Sequence, residues 1–259
     1  MTAAKLSIRL TLALLMAVAL PAADAALQRG IDLFAKEDYK AAQSAFESAV
    51  KTAPRDPDGW LWLGRAYGRR AERATGLRAL SALSLANRCR ESFEKAIEID
   101  PYHQQALEAL FDYYVNAPGL VGGGEDKALG LMKQLEAADI GAALRARASL
   151  DEKQENYAVA EEELRQAIEL RPKDLGHRLS LASFLARRKR YEESDALFAE
   201  AMAQHKNDPE VWFSRAKALV RAKRKPDEAR GLLERYLATP LAAPDADPYS
   251  DARKLLEEL

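Results

Sequence analysis

Residues 60–67 read Trp60-Leu61-Trp62-Leu63-Gly64-Arg65-Ala66-Tyr67, the pattern W-x2-L-G-x2-Y. Downstream, Phe93, Ala96 and Pro101 add F-x2-A-x4-P. Upstream, Gly30 lies 34 residues before Gly64, while Phe46 and Pro54 lie 47 residues before Phe93 and Pro101. The two spacings differ by 13, so an insertion of that length falls between Gly64 and Phe93. Further copies follow. Tyr39, Ala42, Phe46, Ala49 and Pro54 share their offsets with Tyr157, Ala160, Leu164, Ala167 and Pro172. Tyr191, Ser194, Phe198 and Ala201 come one 34-residue period later. Trp212, Ala216 and Leu219 open another copy, which Ala229 and Leu233 close. Leu107, Leu110 and Tyr114 begin one more, with Ala128, Met132 and Leu135 as its second half.

A fixed period of this length marks a repeat architecture. The W-x2-L-G-x2-Y and F-x2-A-x4-P offsets resemble the tetratricopeptide repeat family. That resemblance implies an all-α, right-handed superhelical solenoid of about six helix-turn-helix units. The units fall near 26–56, 57–103 with an insertion, 104–140 with a glycine-rich insertion, 141–174, 175–208 and 209–241. Small residues belong where two helix backbones approach, and large ones fill the gaps to the next unit. Tyr39, Tyr157 and Tyr191 should start second helices, and Pro54, Pro101 and Pro172 should stop them. Residues 242–259 are expected to form a linker and a helix, with Leu255, Leu256 and Leu259 on the face that caps the last unit. Three prolines between Thr239 and Pro248 predict that the linker is extended.

The composition agrees. Aromatics are 7% of the 259 residues, charged side chains 31%, and 39 basic residues face 40 acidic ones for a net charge of −1. Nucleic-acid binding needs a basic excess or stripe that this balance does not supply. Lys5 and Arg9 precede an apolar run from Leu10 to Leu20, then Pro21 and Ala23-Asp24-Ala25. This predicts a secretory signal over residues 1–25, cleaved near Ala25, and a periplasmic chain. An uncleaved anchor is the alternative, although the apolar run is short for a membrane span. No cysteine follows the cleavage site, so a lipoprotein is not expected. The single cysteine, Cys89, can form no internal disulfide. It falls where other units have Ala42 or Ala160 and is expected to be a small core residue.

Two insertions stand out. Residues 68–88 read GRRAERATGLRALSALSLANR, with Leu77, Leu80, Leu83 and Leu85 as an apolar set. They should lengthen both helices of the second unit and give it a basic tip of Arg69, Arg70, Arg73 and Arg78. That tip is either a solvated face or a docking knob for an acidic partner or an anionic membrane surface. Residues 117–128 read APGLVGGGEDKA. Gly119 and Gly124 have the spacing of a phosphate-binding loop, but Glu125 stands where that loop needs lysine, and no strand precedes it. The glycines are expected to turn the chain at positive φ between helices ending near Asn116 and starting near Glu125. Exported bacterial repeat proteins with an A-P-G-x-V-G-G-G insertion are similar here.

Catalytic chemistry finds little support. His103, His177 and His205 lie in separate units without metal-ligand spacing. No G-x-S-x-G elbow occurs. The acidic run Glu161-Glu162-Glu163 reads as a solvated helix face. No enzyme activity, metal or cofactor is expected. The family resemblance implies instead that first helices line a concave groove that takes a peptide or partner helix. Its inner-face offsets fall on Leu61, Arg65 and Arg69; on Glu108, Asp112 and Asn116; on Arg145, Ser149 and Lys153; on Leu179, Ser183 and Arg187; and on Phe213, Lys217 and Arg221. Bases outnumber acids there, which points to an acidic segment or a chain-end carboxylate on a protein partner. The chaperone-binding clamp of the family pairs lysine with asparagine, and this chain lacks asparagine at the matching places. The expected role is a protein-interaction scaffold of the bacterial envelope. The alternative is a periplasmic solenoid that binds a small molecule or lipid beside Tyr102, His103, Tyr113 and Tyr114.

Overall fold

The structure is a computed structural model that describes residues 22–74, 79–241 and 243–259. Most of the expected leader (residues 1–21) lies outside the described residues, as do Leu77, Arg78 and the side chain of Leu80. Every regular element among the described residues is a helix. The chain divides into two compact units, the first up to Gln134 and the second from Leu135 to Leu259.

The first unit begins with α1 (22–35), α2 (Tyr39–Thr52), α3 (Pro57–Glu72), α4 (Ala79–Ile99) and α5 (Gln104–Asn116). A 3-10 turn over Gly119–Val121 and the short α6 (Glu125–Gly130) follow, and α7 (Met132–Ala138) carries the chain across the division. The quoted stretch lies in α3. Leu61, Leu63 and Ala66 are buried, and Trp62 packs against Phe34 and Phe46 of the preceding hairpin, with ring centroids 5.4 and 5.9 Å away. Trp60 is half-buried, and its Nε1 donates to the Pro54 carbonyl at 3.0 Å. Gly64 has a steric reason. A Cβ there would stand 2.5 Å from the Phe93 ring, as one on Gly30 would stand 2.3 Å from Phe46. The same pairing is thus built twice, across the insertion. Tyr67 and Tyr114, also 47 residues apart, each donate at 2.8 Å to the glutamate that follows the packed phenylalanine, Glu47 and Glu94.

The second unit stacks α8 (Ile140–Lys153), α9 (Tyr157–Leu170), α10 (Leu175–Arg187), α11 (Tyr191–Gln204), α12 (Pro209–Arg221) and α13 (Pro226–Leu237) as three hairpins, closed by α14 (Tyr249–Glu257). The tyrosines do start α2, α9 and α11, and those helices stop at Thr52, Leu170 and Gln204. Pro54, Pro101 and Pro172 each stand two residues beyond a helix end. Aspartates cap the first turns. Asp56, Asp139, Asp174 and Asp208 each accept a backbone N–H of the helix they precede.

The turns inside the hairpins use a device with no glycine in it. Glu37, Glu155, Lys189 and Lys223 adopt φ of 61°, 65°, 61° and 52°. The next amide then reaches back to the third-last helical carbonyl, as from Asn156 to Asp151 at 2.8 Å and from Arg190 to Leu185 at 2.9 Å. Arginines at these turns stack on the tyrosine of the hairpin before: Arg73 over Tyr39 at 4.4 Å, Arg188 over Tyr157 at 3.7 Å and Arg224 over Tyr191 at 4.2 Å.

Several expectations need correction. The linker is not extended throughout, because the Ala246 N–H donates to the Ala243 carbonyl at 3.1 Å and makes a turn. The Tyr236 hydroxyl pins it by donating to the Asp247 carbonyl, and Tyr249 donates to Thr239 at 2.6 Å. Beyond it, Ala252 and Leu255 bury against Trp212, Phe213, Leu233 and Tyr236, with Leu256 and Leu259 at the edge. Glu163 is no solvated carboxylate. It is 7% exposed between α9 and α8, because three acids in a row cannot all face outward on a helix that packs on both neighbours. Burial, then Asp151, raises its carboxyl to about 7. The arginines of the insertion are engaged within the unit: Arg69 with Glu72, Arg70 with Gln43, Arg73 with Glu37.

Cys89 is buried, Gly68 leaves room for its Sγ, and burial pushes its thiol up to about 12. In the glycine-rich insertion α5 ends at Asn116 and α6 begins at Glu125. Gly122 and Gly124 have φ of 88° and 156°, and a Cβ on Gly123 would stand 1.8 Å from the Ala117 carbonyl oxygen. The loop is held by Tyr113 donating to Val121, Gly124 donating to Tyr114 and Lys127 Nζ donating to Gly122. Among the described residues no helix is long and apolar enough to cross a membrane.

Candidate partner-binding groove

Within the second unit, α8, α10 and α12 are the first helices of successive hairpins. Their exposed faces form two adjoining clefts of about 390 and 400 Å³. The first is lined by Arg145, Ser149 and Glu152 of α8, by Gly176, Ser180, Ser183 and Arg187 of α10, and by Glu210 and Ser214 of α12. The second is lined by Ser183, Arg187, Lys217 and Arg221 among others. Ser183, Arg187 and Ser214 belong to both, so the clefts are continuous. The floor is mainly serine and alanine, with Leu164 and Leu179 in the first cleft and Tyr191 in the second. At Gly176 a Cβ would meet Arg145 Nη1 at 2.9 Å.

The bases around this floor are held by neighbours. Arg145 Nη1 lies 3.2 Å from His177 Nδ1. His177 is 1% exposed, and burial, then Arg145, lowers its pKa and favours the neutral ring. Arg187 grips Glu152 through Nε and Nη2, both at 2.7 Å. Lys217 Nζ sits 5.5 Å over the Phe213 ring and 3.9 Å from Asp247. Arg221 and Lys153 are exposed at the ends of α12 and α8.

Of the expected inner-face residues, Arg145, Ser149, Ser183, Arg187, Lys217 and Arg221 therefore line one groove. Phe213 does not. It is 2% exposed and packs on Tyr236 at 5.0 Å, because its position turns into the seam that α14 closes. Leu179 is 4% exposed and packs on Phe198 and Val211, yet it also lines the first cleft, while Leu61 is a core residue of the first unit. Arg65, Arg69, Glu108 and Asp112 lie in the first unit. There Arg65 stacks on Trp62 at 4.6 Å and donates to Gln105 at 3.4 Å, while Glu108 accepts from Gln104 at 2.8 Å. This face has mixed charge. Ser180, Ser214, Glu152 and Glu210 are groove residues that the offsets missed, although Ser180 and Ser214 are one 34-residue period apart.

The four residues expected to wall a small-molecule pocket do not converge. Tyr102 is 61% exposed before α5, and His103 caps that helix and meets Asp58 at 3.1 Å. Tyr113 and Tyr114 stand at the far end of α5, about 15 Å away along the axis. Among the described residues no group of three or more His, Cys, Asp or Glu is placed to hold a metal ion.

Residues 27–82 and 152–218 match models of the tetratricopeptide repeat. The chain carries tetratricopeptide repeats. A thermophilic tetratricopeptide repeat protein from Thermus thermophilus is similar in structure, with 25% identity and a TM-score of 0.58, over 77% of this chain and all of that one. PilF of Pseudomonas aeruginosa is similar at 13% identity and a TM-score of 0.52, over 91% of this chain and 98% of its own. PilW, a type IV pilus biogenesis factor, is similar at 17% identity and a TM-score of 0.51, over 89% and 98%. These likenesses establish the fold. No curated protein matches the chain. Repeats of this kind make a scaffold for protein–protein interaction.

Proposed function

We propose that the chain is a non-catalytic interaction scaffold whose second unit takes an acidic peptide segment of a partner protein along the inner faces of α8, α10 and α12. The observation that carries this is the continuous groove itself. Arg145, Arg187, Lys217 and Arg221, with Glu152 and Glu210 between them, surround a floor that is mainly serine and alanine. Such a floor lets an extended backbone lie close, while the bases select acidic side chains or a chain end. We place the chain in the periplasm of a bacterial envelope, on the strength of the basic start, apolar run and small-residue site within residues 1–25.

Fluorescence anisotropy with a labelled glutamate-rich peptide tests the groove. Arg187→Glu with Arg221→Glu should weaken binding at least tenfold, and salt should weaken the native chain in the same way. Equal binding of a lysine-rich peptide, or indifference to the charge reversals, would sink the proposal.

A further inference from the structure

Arg187 is the base common to both clefts. Its guanidinium holds the two oxygens of Glu152 with two parallel bonds of 2.7 Å. This fork-to-carboxylate geometry is the strongest and most selective that an arginine offers. Comparison along the repeat shows what is unusual about it. One period apart, Lys153, Arg187 and Arg221 put a base at the same place in α8, α10 and α12. The residues just before them are Glu152, Ala186 and Val220. Val220 is buried, and Ala186 is half-buried. The fold therefore asks for a small or apolar residue at this position, and Glu152 answers another need. Its side chain is 19% exposed and reaches across to α10.

We propose that Glu152 is a built-in stand-in for the ligand: Arg187 is the carboxylate subsite of the groove, and the free chain fills it with its own carboxylate. This rests on the groove reading given above. The group that the subsite takes from a partner is an aspartate or glutamate side chain or a chain end. To enter, it must exchange with Glu152, which then turns to solvent at the groove rim. Until then the internal pair keeps the fork aligned and keeps weakly acidic segments out.

The test uses the full chain and a labelled glutamate-rich peptide, with Glu152→Gln, Arg187→Gln and the double variant. Glu152→Ala, which installs the residue found one period later, is a second way to open the subsite. Either opening variant should bind about three- to tenfold tighter than the native chain at low salt, the range set by an exposed ion pair plus relief of like-charge repulsion. In the Arg187→Gln background the gain should vanish. If the native chain binds and neither opening variant gains, Glu152–Arg187 is only a staple between helices and the proposal is overturned. A gain that persists without Arg187 overturns it too, since simple charge removal then explains it. If neither the native chain nor the opened variants bind, both this proposal and the groove reading fall.

Discussion

Gly64→Ala probes the seam on which the first unit depends. In an unpacked helix this change would stabilise by about 1 kcal/mol, because alanine is the better helix former. Here the new methyl would stand 2.5 and 2.6 Å from two Phe93 ring carbons and 3.2 Å from the Cys89 carbonyl oxygen. Phe93 is 5% exposed, so its ring has no free space to swing into, and the carbonyl belongs to the α4 backbone. Relief must come from moving α3 away from α4. Overpacking of this kind costs about 1–3 kcal/mol, and the net loss after the helix-propensity gain is about 0–2 kcal/mol. Urea denaturation followed by circular dichroism at 222 nm measures it. Phe93→Leu supplies the cross-check, because the second unit packs Ala148 near Leu164 at the equivalent place. The double variant Gly64→Ala with Phe93→Leu should be more stable than the sum of the single changes by about 1 kcal/mol. A Gly64→Ala chain stabilised by the full 1 kcal/mol or so of an unpacked helix, or additivity in the double variant, would refute the claim that the glycine exists to admit the ring.

Two more outcomes follow from buried titratable groups. Glu163 is raised from 4.5 to about 7, so the folded chain holds its proton more tightly than the unfolded one. Its contribution to stability is complete below about pH 4.5 and is lost as pH rises through 7, and Glu163→Gln should flatten this segment of the pH–stability curve by about 1–3 kcal/mol. Cys89, with its thiol pushed up to about 12, should resist maleimide labelling at pH 7.5 in the native chain and label fully in urea; fast native labelling would contradict its place beneath Gly68.

The period, the hairpin starts and the capping helix were legible because each rests on local steric rules. Tyrosine and proline at fixed offsets mark helix starts and stops wherever they stand, and Gly30 and Gly64 had to be small to admit Phe46 and Phe93. The bases of the groove were legible too, since one period returns to the same helix face. The left-handed turns at Glu37, Glu155, Lys189 and Lys223 were not, because charged residues carry no sign of positive φ.

What only the tertiary structure decided is which side of a helix each residue spends against its neighbours. Phe213 and Lys217 are four residues apart and share an offset rule, yet one is sealed under α14 and the other rims a cleft. Glu163 sits in an acidic run and is buried, and Glu152 sits beside Lys153 and fills the Arg187 fork. The repeat pattern determines the stack because backbone geometry and side-chain volume act at short range. Burial and ion pairing depend on residues an entire period away, so which charges face the groove emerged only when the helices were laid side by side.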